Sequence, residues 1–219
     1  MTLPALSLLD TRVLGVLVEK QLTVPDTYPL TLNALVAGCN QKSSRDPIIE
    51  ASEDEVASAI DRLKGLSLVM ESSGGRVMRY AHNVQRVLDV PAQAVAILTV
   101  LMLRGPQTAG ELRIHTERLH RFSDISAVEG FLHELAARAN GALVVELARQ
   151  AGSRETRWSH LLSGAPAEVS AISQAIPAPE RVAVGEIAAL RATVEDLQSQ
   201  LAQMRADVDR LMRELGISR

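Results

Sequence analysis

A single cysteine, Cys39, stands in 219 residues, which excludes a disulfide framework within the chain and any zinc site built on several thiolates. Aromatic side chains are nearly as scarce, with two Phe, two Tyr and one Trp. The cores must be built from Leu, Val, Ile, Met and Ala, which suits small helical domains better than a large sheet. An excess of positive charge is also missing. Residues 1–83 carry 8 basic and 10 acidic side chains, 84–162 carry 9 and 8, and the remainder 6 and 8, for a net charge of −3. Nucleic-acid binding would have to rest on local patches, because no segment has the basic footprint usual for such domains. No apolar run approaches the ~20 residues that span a bilayer. The longest, AVAILTVLML at 94–103, reads as a buried core helix. The opening MTLPALSLLDTR lacks the basic start and cleavage site of a secretory leader, so the expectation is a cytoplasmic chain without membrane association.

What is present is a helix-turn-helix pattern at residues 23–63. A first core helix over 9–21 puts Val13, Leu14, Leu17 and Val18 on one side and leaves Arg12, Glu19 and Lys20 elsewhere. Pro25 and Pro29 end it. Leu32, Leu35, Val36 and Cys39 then recur at helical spacing, and Cys39 reads as a small buried hydrophobe rather than a reactive thiol. After the polar run NQKSSRDP, Ser52 and Glu55 form a capping-box signature, followed by Val56, Ile60 and Leu63 on a third helix. Leu68–Met70 and Arg76–His82 read as a hairpin. Three helices and a hairpin, in that order, make a winged helix.

The order repeats. Val95, Leu98, Leu101 and Met102 mark a helix stopped by Gly105 and Pro106; Thr108 and Glu111 give a capping box; Val128, Leu132 and Leu135 mark a third helix; and two strands follow. RVMRYAH at 76–82 matches RETRWSH at 154–160, aligning Arg76 with Arg154, Arg79 with Arg157, Tyr80 with Trp158 and His82 with His160. The fold class expected is mainly α with small β-hairpin wings: winged-helix domains at 1–83 and 84–162, an Ala/Ser/Pro linker at 163–180, and a coiled-coil helix at 181–219. In that helix Ile187, Val194, Leu201, Val208 and Leu215 take the a positions and Leu190, Leu197, Met204 and Leu211 the d positions. Mostly β-branched a residues with Leu-rich d residues favour a parallel pair, hence a homodimer; folding back onto the chain's own domains is the alternative.

The stretches RVLGVLVEKQLTVPDTYPLTLNALVAGCNQKSSRDP, MLRGPQTAGELR and RWSHLL, with an imperfect ERLHRFSDISAVEGFLHEL, resemble the YceH-like bacterial proteins over about residues 8–162. The resemblance implies tandem winged helices, a bacterial cytosolic setting and no known catalytic activity. It supplies no active-site residues.

The segment from Thr23 to Pro47 is more elaborate than a helix pair requires, which nominates Tyr28, Asn33, Asn40, Gln41, Lys42, Ser43 and Arg45 as a binding surface. Arg76, Arg79, Arg154 and Arg157 in the wings, with Arg113, Arg118 and Arg121 nearby, are candidates for phosphate contacts in duplex DNA. Against groove reading, the third helix of the first unit begins Glu53, Asp54, Glu55, and Glu129 and Glu134 follow in the second. Acids at a helix start favour its dipole, yet they repel a polyanion. Two function classes follow: a non-enzymatic DNA-binding, regulator-like dimer, and a protein-interaction adaptor in which the arginines stack on Tyr80 and Trp158 or pair with local acids. Neither a phosphate loop nor a nucleophile motif is present, and His115, His120 and His133 lack metal-ligand spacing. No enzyme, cofactor or metal is expected.

Overall fold

The computed structural model describes residues 3–73, 77–149 and 155–166. Arg76, Arg154, most of the linker and the whole heptad seam from Ile187 to Leu215 lie outside the described residues. Among those described, the chain forms seven α-helices and two small antiparallel hairpins, an arrangement consistent with winged helices.

Helix α1 (Leu8–Thr23) starts at a capping box in which the Ser7 hydroxyl accepts from the Asp10 N–H and the Asp10 carboxylate accepts from the Ser7 N–H. Contrary to the one-sided stripe expected, every residue from Asp10 to Val18 is buried, Arg12 included. The cause is double coverage. Helices α2 (Leu32–Cys39) and α3 (Glu53–Gly65) pack on α1, and so does α5 (Ala92–Arg104) from the second half. Two glycines set these approaches. A Cβ on Gly15 would stand 2.9 Å from Leu103 Cγ and Cδ2, and one on Gly38 2.6 Å from Val16 Cγ1.

Thr31 caps α2 and the Ser52–Glu55 box caps α3, whose Val56, Ala59, Ile60 and Leu63 are buried. Strands β1 (Val69–Ser72) and β2 (Arg79–His82) pair from Val69↔His82 to Ser72↔Arg79, and Leu30 adds a one-residue third strand against Tyr80. A short helix α4 (Val84–Leu88), which periodicity did not reveal, links to α5. Helix α6 (Ala109–His115) begins at the Thr108–Glu111 box, and α7 (Ile125–Ala136) buries Val128, Leu132 and Leu135 as their spacing predicts. The α7 helix ends at Ala136, before the Asn140–Gly141 turn.

Strands β3 (Val144–Glu146) and β4 (Trp158–His160) form the second hairpin, with Gln107 bridging to Trp158 as Leu30 does to Tyr80. The sequence repeat is thus a repeat of hydrogen bonds. Leu30 and Tyr80 exchange both backbone bonds, as do Gln107 and Trp158; the Leu68 carbonyl accepts from the Asn83 N–H, and the Leu143 carbonyl from that of Leu161. Buried residues of both halves join in a single apolar cluster. Among the described residues no helix is long and apolar enough to cross a membrane.

Candidate binding surfaces

The polar loop after α2 carries most of the residues that the sequence nominates, and it is fastened from beneath. Asn40 makes paired 2.8 Å bonds with the backbone of Ala51, its amide donating to the carbonyl and its oxygen accepting from the N–H. Arg45, nominated for the surface, points inward. Its side chain is 0% exposed, pairs with Glu19 at 2.6 Å and donates to the Gly38 carbonyl. A partner docking on this face cannot reach it. The Asp46 N–H donates to the Leu103 carbonyl, and Arg104 of α5 donates to the Ser44 hydroxyl. The loop therefore clamps the first half to the second.

Beneath it lies Arg12, which periodicity set aside. It is fully buried and donates to the carbonyls of Cys39 at 3.2 Å and Pro47 at 2.6 Å. Burial pushes the Cys39 thiol up to about 11 in spite of Arg12 and Arg45 nearby, so the group stays a protonated, packed thiol. On the outer side, Gln41 donates to Ser43 and accepts from Lys20, while Asn33, Lys42 and Ser43 are exposed. Tyr28 is half-buried, its hydroxyl accepting from the His82 N–H at 2.7 Å.

The wing arginines have matching local partners. Arg79 donates to the Pro29 carbonyl at 2.7 Å, and Arg157 to the Pro106 carbonyl at 3.0 Å. In each case the acceptor immediately precedes the residue that bridges to the wing. Arg157 also pairs with Glu111 at 3.2 Å, the local-acid pairing anticipated. No ring-stacked arginine occurs among the described contacts; the ring edge-on to Trp158, at 5.3 Å, is His133. His82 and His160 at the strand ends are both pushed down to about 4 by burial, which keeps them neutral and suits a structural role.

The third helices present carboxylates. Glu53, Asp54, Glu55 and Asp61 are exposed on α3; Arg62 there is tied to Asp10 at 2.8 Å, and Lys64 to Asp61 and Glu71. Helix α7 exposes Glu129 and Glu134 and contains no Lys or Arg. Exposed cations without a hydrogen bond or ion pair among the described residues include Lys42 in the clamp loop and Arg113, Arg118 and Arg121 on and after α6. No group of three or more described His, Cys, Asp or Glu side chains is placed to hold a metal ion.

Comparison with known proteins places these features in a recognisable lineage. The family described as "Protein of unknown function, DUF480" matches residues 6–153. A UPF0502 protein of Dechloromonas aromatica is 60% identical over 203 residues, 93% of this chain and 94% of the relative. One from Methylibium petroleiphilum is 61% identical over 216 residues, 98% and 92% of the two chains. Another, from Burkholderia thailandensis, is 56% identical and covers 97% and 90%.

Proposed function

Since the chain belongs to the DUF480 family of UPF0502 proteins, whose description names no activity, we propose from its chemistry that it is a non-enzymatic binding protein. On this reading two tandem winged helices serve as an adaptor for a basic segment of another protein, in the cytoplasm, and two copies pair through the heptad seam of residues 187–215. The observation that carries it is charge. The helices that would enter a DNA groove expose Glu53, Asp54, Asp61, Glu129 and Glu134, while Arg79 and Arg157 already hold proline carbonyls of their own halves. Carboxylates in that position repel phosphates and attract cationic side chains.

Duplex DNA is the second reading, favoured by one observation: Arg113, Arg118 and Arg121 are exposed without partners among the described residues. Titrating the full chain with duplex DNA across a salt series separates the two. The adaptor reading expects no binding at low salt. Binding that weakens steeply with salt, and whose slope flattens in an Arg113→Ala/Arg118→Ala/Arg121→Ala variant, would establish DNA binding instead. For the pairing, a chain ending at residue 165 is expected to sediment as a monomer and the full chain as a dimer.

A further inference from the structure

Between the start of α6, the outward face of α7 and the second hairpin lies a hollow of about 310 Å³, lined in part by Glu129, His133, Glu146, Arg149, Glu155 and Trp158. We infer that this hollow seats the guanidinium or ammonium head of a basic side chain from a protein partner; the inference rests on the adaptor reading above and names its site. Three features converge there.

The first is charge: among the described residues of the lining, Glu129 and Glu146 stand with Glu155 against the single guanidinium of Arg149. Glu146 is oriented by a 2.5 Å bond from the Thr156 hydroxyl, and Glu155 brings Oε2 to 4.0 Å from where a Cβ on Gly110 would stand. The second is space. Gly110 leaves the mouth unfilled on the α6 side, with Ile125, 45% exposed, as an apolar wall beside it. The third is the aromatic lining. Trp158 is only 5% exposed and is held by the backbone bonds to Gln107 and by the edge of His133, giving a rigid surface against which an aliphatic stem or a planar guanidinium packs. The volume fits one long side chain and is small for a drug-sized ligand. The acids thus select the charge, and the indole and Ile125 accept the stem.

Trp158 is the only tryptophan of the chain, so its fluorescence reports on this hollow. The full-length protein is titrated with an N-acetylated, C-amidated hexa-arginine peptide at low salt. The expected result is a saturable change in Trp158 emission that weakens at least tenfold in a Glu129→Gln/Glu146→Gln variant and less than twofold in Glu50→Gln/Glu117→Gln, which removes two exposed acids outside α3, α7 and the hollow. Peptide binding by anisotropy with Trp158 emission unchanged, or equal weakening in both variants, would exclude the hollow and leave the adaptor reading standing. No peptide binding at low salt would overturn both.

Discussion

At the scale of single residues, the buried arginines decide the most. Arg45 is inaccessible and holds Glu19, whose side chain is 16% exposed. Burial pushes the Glu19 carboxyl up, but the hydrogen bond and charge of Arg45 outweigh it and hold the group below its ordinary value of 4.5. A depressed carboxyl contributes stability above its unfolded value and loses it as pH falls through the folded one. Arg45→Ala is expected to cost about 3 kcal/mol at pH 7, the scale for breaking a buried pair from one side. The deficit should narrow below pH 4.5, where a protonated Glu19 needs no counter-charge; thermal unfolding of both chains from pH 7 to 3 measures it. None of this was legible in the sequence. A basic residue in a polar run reads as surface, and only the fold brings residues 45 and 19 together. Arg12 shows the same limit: a guanidinium outside an apolar stripe is assigned to solvent unless the second helix covering it is known. Cys39, by contrast, was legible because it lies on the stripe itself.

At the scale of elements, local chemistry was read well. The Ser52–Glu55 and Thr108–Glu111 boxes start α3 and α6, since capping depends on residues three apart and on nothing distant. Helix α4 escaped because five residues are too few to declare a period. The glycines separate two kinds of helical position. In α7, a Cβ on Gly130 meets nothing within 4 Å, so Gly130→Ala should stabilise by about 0.5–1 kcal/mol through helix propensity alone. In α1, Gly15→Ala gains the same propensity but pushes a methyl onto Leu103; overpacking costs of about 1–3 kcal/mol leave it destabilised by about 1 kcal/mol. Urea denaturation of the two variants should give shifts of opposite sign. The same sign for both would show that α5 can move away from α1.

At the scale of the whole molecule, the order of elements was legible and their union was not. A boundary at residue 83 or 84 divides the sequence repeat cleanly, yet α1 and α5 share a core that crosses it. Contacts between the first helices of two repeats leave no trace in either repeat's periodicity. One consequence can be measured. Urea unfolding of a chain ending at residue 165, which lacks the proposed heptad helix, followed by Trp158 emission, which reports the second half, and by helical circular dichroism, which reports both, should give coincident midpoints. A chain of residues 1–83 alone should fail to fold, because the α5-facing side of α1 would be bare. Two separate transitions would show the halves to be independent. The clamp of Ser44, Asp46, Leu103 and Arg104 then takes on a further meaning. By locking the halves it fixes the span between one acidic helix and the other, so a partner engaging both must carry its basic groups at one separation. On the adaptor reading proposed above, the protein would act as a caliper, and spacing rather than composition alone would distinguish its partner from the many basic chains in a cell.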